Sequence, residues 1–493
     1  MNVTNASVDG NNPTSGGLKW VVVTLIVYFG LRLLYFAINI SPYVPPDEVT
    51  HFGVCTVFSK AFLLPDNSPD SYQYGLVTNI PWLYYWVMGK LLVLNITSMS
   101  DLVFLRIFNI PIAFATVHFV RRLTRLLTED RLTEILVTVA MTNTLMFSFL
   151  SASVSYDNLA NLLAAMAIFY LFAFFKERSG RLLILSLLSL LAGCLTKITF
   201  LPLAVMLVVL FIIREIKNSR MLLSDATACF KSPGRQGALL LAGVIVGILL
   251  NVQLYGGNYV HYGTINPAVE AVLPLEKAMQ YRLTARNYIF SLFKEGKITI
   301  EKAREMAVQI THSGDRGGAI GLVENYARAK QAGFKPVGPL PYTAMWLLQM
   351  LSTSFGIKAH IGMLNHGFSF IPLALLFLCV LTSWLVRFRP WDQSWLPATL
   401  MGISFCYAAF LLLKINYPNY VDSTDIVLTV AGRYIFPVIG PVYVVSCLYL
   451  MRLFKGNKGR LALAVFAGVV LIFSDFPFFL SNVTPEWFDW TLK

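Results

Sequence analysis

Five side chains of this sequence have the types and placement to do chemistry. Asp47 and Glu48 lie in YVPPDEVTHF (43–52), a few residues after an apolar run of membrane-spanning length. Asp157 opens a second apolar run in SYDNLANLL (155–163). Lys197 falls between two further apolar runs in LTKITFLP (195–202), and Arg433 precedes Tyr434 in AGRYIFP (431–437). A carboxylate can take a proton from a hydroxyl as that hydroxyl attacks. Arginine grips phosphate by a fork of donors, and lysine by a point charge. Acids and cations on one face thus fit a base that activates a hydroxyl and cations that stabilise an anionic phosphate leaving group. That division of labour calls for a phosphate lying at a membrane surface, as in a lipid-linked donor.

Each residue also has an ordinary reading. Asp47 and Asp157 suit helix starts, where a carboxylate meets the positive end of the helix. Pro45 and Pro46 read as a turn leading into such a helix. Lys197 can snorkel to the interface, and Arg433 with Tyr434 can be an interfacial anchor. His51 shares a helix face with Asp47 by spacing; it reads as an acid or base, a substrate contact or a buried helix-face histidine. STSFGIKAHIGMLNHG (352–367) supplies Lys358, His360 and His366 just before another apolar run, where they would line the site. The two histidines lack zinc-helix spacing, and no metal site is assigned.

The elements that must hold these residues follow from composition. Of 493 residues 56% are hydrophobic and 13% charged, about half the charged share of a soluble protein, so the chain is an all-α polytopic membrane protein. The formal charge of +13 gathers at the ends of apolar runs. This favours membrane orientation over nucleic-acid binding. Six scattered cysteines show neither disulfide nor metal spacing.

About eleven spans are expected, near 18–39, 102–120, 133–150, 157–175, 182–196, 199–213, 237–255, 366–386, 395–414, 434–452 and 460–477. The first is read as a retained span rather than a cleaved signal. Basic stretches at 121–131, 176–181, 214–220, 387–390 and 452–460 would all be cytoplasmic. The N-terminus is then cytoplasmic, and Asp47, Asp157, Lys197 and Arg433 share the outer face. PWLYYWVMGKLLVLN (81–95) would break that alternation as a span and is expected to be an interfacial helix. The expected organisation is an N-terminal transmembrane module (1–255) with a catalytic first outer loop (40–101), an outer helical insert (256–365), and C-terminal transmembrane helices (366–493).

PPDEVTHF resembles the first outer-loop motif of the GT-C superfamily of membrane glycosyltransferases, as found in bacterial membrane proteins with a PPDE…HF start and a late GRY motif. SYDNLANLL, LTKITFLP, a looser SFGIKAHIGMLN and AGRYIFP follow in matching order, so the resemblance spans Pro45 to Pro437. The superfamily includes aminoarabinose transferases and protein O-mannosyltransferases. The resemblance implies a GT-C fold and an inverting, polyprenyl-phosphate-dependent transferase of the cell envelope, modifying a polysaccharide, lipid or protein. It places the chain in the bacterial inner (plasma) membrane, with the active site on the periplasmic side.

By the same resemblance Asp47 is the base and Asp157 a second acid. Lys197 and Arg433 contact the donor phosphate, and Glu48 and His51 belong to the substrate shell. Tyr434, Lys358 and His360 are expected in that shell from their places in the sequence. The resemblance implies no particular cofactor and leaves a divalent metal open, since some superfamily members use one and others do not. Ala431 stands where this subgroup often has Gln, and NIP (79–81) where aminoarabinose transferases have Lys-Pro-Pro, so the donor sugar is not implied. The competing class is a transporter or flippase of lipid-linked sugars. Such proteins tend to hold charges near the bilayer midplane on broken helices; here the expected charges gather at one face.

Overall fold

The computed structural model describes residues 13–65, 71–215, 235–308, 310, 313–357, 362–363, 370–387, 395–426, 428 and 430–491. All regular structure among them is helical. Among the described residues eight helices are long and apolar enough to cross a bilayer. A ninth crossing exists if α5 (Arg131–Thr142) and α6 (Leu145–Ser151), which meet at 64°, form one broken span. The segments expected at 182–196 and 199–213 are α8 (Gly180–Cys194, 15 residues) and α9 (Phe200–Glu215, 16 residues). Both fall short of the roughly 20 residues that a perpendicular crossing needs.

Two spans form the centre of the bundle. They are α7 (Tyr156–Glu177) and the helix within Gly432–Met451, each with 78% of its apolar window buried. Small residues let neighbours approach α7 closely: Ala160, Ala164 and Ala167 are buried, and Ser186 of α8 donates to the Ala167 carbonyl at 2.9 Å. Both central spans begin at residues singled out above, Asp157 and Arg433. The first span, α1 (Pro13–Asn39), carries Arg32, which faces inward and pairs with buried Asp475. A charge at membrane depth is tolerated when paired in this way.

Within this first loop two helices, α2 (Glu48–Lys60) and α3 (Leu83–Leu92), pack side by side in the same direction, His51 meeting Tyr85 at their starts and Lys90 meeting Phe58 and Ala61 at their ends. At ten residues α3 is about 15 Å long, half a bilayer's hydrocarbon thickness, and cannot cross it. Its Gly89 lies so close to α2 that a Cβ would sit 2.9 Å from the Cys55 carbonyl oxygen. Lys90 donates to the Phe58 carbonyl at 3.0 Å and to that of Ala61, satisfying the last carbonyls of α2. Beyond the span Gln236–Tyr262, the helices Arg282–Lys294, Ile300–Ala307 and Ser313–Gln331 close around a small core of their own, built on Ile289, Ala303, Ala307 and Val323. The helix Pro339–Phe355 then returns to the bundle.

Candidate active site

The loop from α1 to α2 is fixed by a residue that sequence reading passed over. Arg106, near the start of α4 (Asp101–Leu127), donates to the Ala37 carbonyl at 3.1 Å and the Ile40 carbonyl at 2.6 Å, closing the end of α1. Its Nε and Nη2 grip both oxygens of Glu48, with Nε at 2.8 Å from Oε1. The same Oε1 accepts the Val154 backbone N–H at 2.7 Å. Both side chains are fully buried. Glu48 is therefore turned into the protein, where its oxygens are taken up by structural contacts.

Asp47 turns the other way. Its backbone is left-handed (φ 59°, ψ 12°) and its side chain makes no cap hydrogen bond, so the helix-cap reading of this residue is corrected. This conformation is uncommon outside glycine but more accessible to Asp and Asn. It follows the buried Pro45–Pro46 turn and directs the carboxylate to Arg433, whose Nη2 donates to Oδ2 at 3.0 Å. Arg433 is held in turn by Gly432. The Gly432 N–H donates to Thr353 Oγ1 at 2.7 Å, and a Cβ at Gly432 would lie 2.6 Å from the Met350 carbonyl oxygen and also strike Ser354 Oγ. Glycine is needed here for space.

The second acid pairs with the second cation. Asp157 is not the N-cap of α7; Ser155 is, accepting the Asp157 N–H at 3.2 Å. Asp157 is buried and bonded to Lys197, itself buried in the turn between α8 and α9. That turn is tied to α3 by the Leu83 N–H donating to the Leu195 carbonyl at 2.9 Å. The Lys197 ammonium lies 5.0 Å from the Tyr156 ring centre and 5.4 Å from that of Tyr434, and the Arg433 guanidinium lies 5.3 Å from the Tyr434 ring. These distances place both cations within cation–π range.

His51 sits between the two pairs. It is 5% exposed, its ring packs edge-on against Tyr156 with centroids 4.4 Å apart, and its Nδ1 lies 2.8 Å from the Tyr85 hydroxyl. Burial raises the Tyr85 phenol well above its usual range, so it stays protonated and shares a neutral hydrogen bond with Nδ1. Burial also pushes His51 from 6.5 down to about 4. The charges facing it oppose one another: Asp47 and Asp157 raise its pKa, Arg433 and Lys197 lower it.

Between about pH 6.5 and 4 the unfolded chain therefore binds a proton at His51 that the folded chain refuses. The stability this residue confers is complete above that window and is lost as pH falls through it, by on the order of 3 kcal/mol. Thermal melts in detergent should show a midpoint falling from pH 7 to pH 4. In His51→Gln the slope should flatten; an equally steep slope would place the acid sensitivity elsewhere.

The structure thus brings Asp47, Asp157, Lys197, Arg433, Tyr434 and His51 to one end of the bundle and separates Glu48 from them. Lys358, His360 and His366 lie outside the described residues. Among the described residues no three of His, Cys, Asp and Glu are grouped as a metal would require. Arg433 and Lys197 keep spare donor capacity. Among the described residues, Arg433 Nε is buried with no hydrogen-bond partner, and one of the three Lys197 donors is engaged, by Asp157. Arg106, Tyr85 and Tyr156 complete the site and were not foreseen. For Arg106 a signal existed: an arginine within an apolar run.

No family model matches the chain, and no curated protein matches it. Among solved structures it is similar to ArnT from Cupriavidus metallidurans in the apo state, at 12% identity and a TM-score of 0.35, over 89% of this chain and 78% of that one. The same ArnT bound to undecaprenyl phosphate matches at 12% identity and a TM-score of 0.35, over 87% of this chain and 77% of that one.

Proposed function

We propose that the chain is an inverting GT-C glycosyltransferase. It moves a sugar from a polyprenyl-phosphate donor to a cell-envelope glycan or lipid on the outer face of the membrane. The observation that carries this reading is the pairing of Asp47 with Arg433 and of Asp157 with Lys197 around one buried histidine. Catalysis of this kind needs a base and a phosphate grip within one water-poor site, and the ordered motifs Pro45–Pro437 support the same class.

The acceptor hydroxyl attacks the anomeric carbon and gives its proton to Asp47. The bond from that carbon to the phosphate oxygen breaks, and the polyprenyl phosphate leaves with the electron pair. Arg433 and Lys197 stabilise the charge that gathers on the leaving oxygen, using donors that their carboxylate partners leave spare. Asp157 fixes the Lys197 ammonium, and the His51 ring, kept neutral by burial, lies beside them.

Purified protein in lipid vesicles, given radiolabelled polyprenyl-phosphate sugars and crude envelope acceptor, tests the reading. Label should appear on the acceptor. Label that crosses the bilayer still attached to its lipid, with none transferred, would replace the transferase with a flippase.

A further inference from the structure

A concave site lined by none of the charged-cluster residues lies between the insert and the end of a span. It has a volume of about 580 Å³, within the roughly 300–1,000 Å³ range of ligand sites. One wall is a face of the helix Arg282–Lys294, the other the end of the span Trp395–Ser423, where a π-helical turn (Leu411–Asn416) leads into Tyr417–Ser423. Such turns are rare and recur at functional sites. Lys294 bonds Asp422 across the two walls. The floor includes Leu428, five residues before Arg433, so the cavity adjoins the loop that carries the proposed phosphate grip.

The lining decides what kind of ligand fits. Its charges balance, with Arg286 and Lys294 against Glu295 and Asp422, which disfavours a phosphate or a polyanion. Neutral polar groups come from Asn287, Ser291, Asn419 and Ser423, with Ser291 donating to Glu295 at 3.0 Å, Ser423 to the Asn419 carbonyl at 2.6 Å and Asn287 Oδ1 accepting from Arg286, and apolar surface comes from Phe290, Leu322 and Leu428. An acyl chain would meet too many polar groups. A peptide added as a strand would need a sheet edge, and there is none among the described residues. A neutral saccharide presents hydroxyl edges and apolar ring faces together, which this mixture matches. The geometry points to this cavity as the binding site for a neutral saccharide segment of the acceptor, an assignment that rests on the transferase reading.

Binding is tested without donor, on the full chain in lipid nanodiscs, by saturation-transfer NMR. The probes are short neutral oligosaccharides of glucose, galactose, mannose and N-acetylglucosamine, with hexuronate oligosaccharides as the acidic comparison. At least one neutral probe should bind. Asn287→Leu, which removes an amide, and Ser291→Trp, which fills the space, should each weaken it by about tenfold or more while melting like the wild type. In transfer assays both should raise acceptor KM with kcat little changed. No binding by any neutral probe, equal binding by both variants, or tighter binding of the acidic probes overturns the assignment. Saccharide binding without transfer from any donor would instead overturn the transferase reading and leave the saccharide site standing.

Discussion

Asp47→Asn should lower kcat for sugar transfer by about 10²–10⁴-fold, the usual contribution of a general base, with donor KM changed by no more than about threefold. Asparagine is the informative replacement for two reasons. It tolerates the left-handed backbone that residue 47 adopts, where alanine would add strain. Its side-chain oxygen can still accept from Arg433 Nη2, as Asp47 Oδ2 does at 3.0 Å. The hydrogen bond to Arg433 is preserved, while the negative charge and with it the capacity to accept a proton are removed. Initial rates over a donor series, with melting confirming the fold, make the comparison. A variant within about tenfold of wild type would acquit Asp47 as base and turn attention to Asp157.

Glu48, one residue later, should behave as a structural residue. Glu48→Ala strands the Arg106 guanidinium in the interior with no carboxylate, beside the Ala37 and Ile40 carbonyls and the Trp490 ring. Breaking a buried pair from one side costs about 3–5 kcal/mol, whereas replacing both partners with apolar residues is often neutral. The melting midpoint should therefore fall sharply in Glu48→Ala and recover in the double variant Glu48→Leu/Arg106→Leu. Transfer activity should recover with it. If stability returns and activity does not, Glu48 acts on substrate, and its enclosure by Arg106 and Val154 has been misjudged.

The contrast between these neighbours shows what was legible in the sequence. Apolar runs announce helices because each must bury or lipidate its whole length, so all eleven expected segments contain helix. The crossing count is less legible, since α8 and α9 are short and α5–α6 is bent. The site's residue types were readable because acids and cations at the ends of apolar runs are expensive there and need a reason. Their partners were not. Asp47 and Glu48 are adjacent acids at one helix start, and only a left-handed backbone and an arginine 58 residues away send them in opposite directions. Tyr85 reads as one more interfacial aromatic until α3 packs beside α2 and sets its hydroxyl against His51. The fit of Gly432 under Ser354 is likewise a tertiary fact.

The Asp47–Arg433 contact joins residues 386 positions apart. At about 5–20 residues per second, ribosomal synthesis separates the two by roughly 20–80 s. Throughout that interval Asp47 has been made and Arg433 has not. The proposed chemistry is thereby timed by translation: the reactive constellation cannot assemble before the late span is made, and a prematurely terminated product would be inserted but inert.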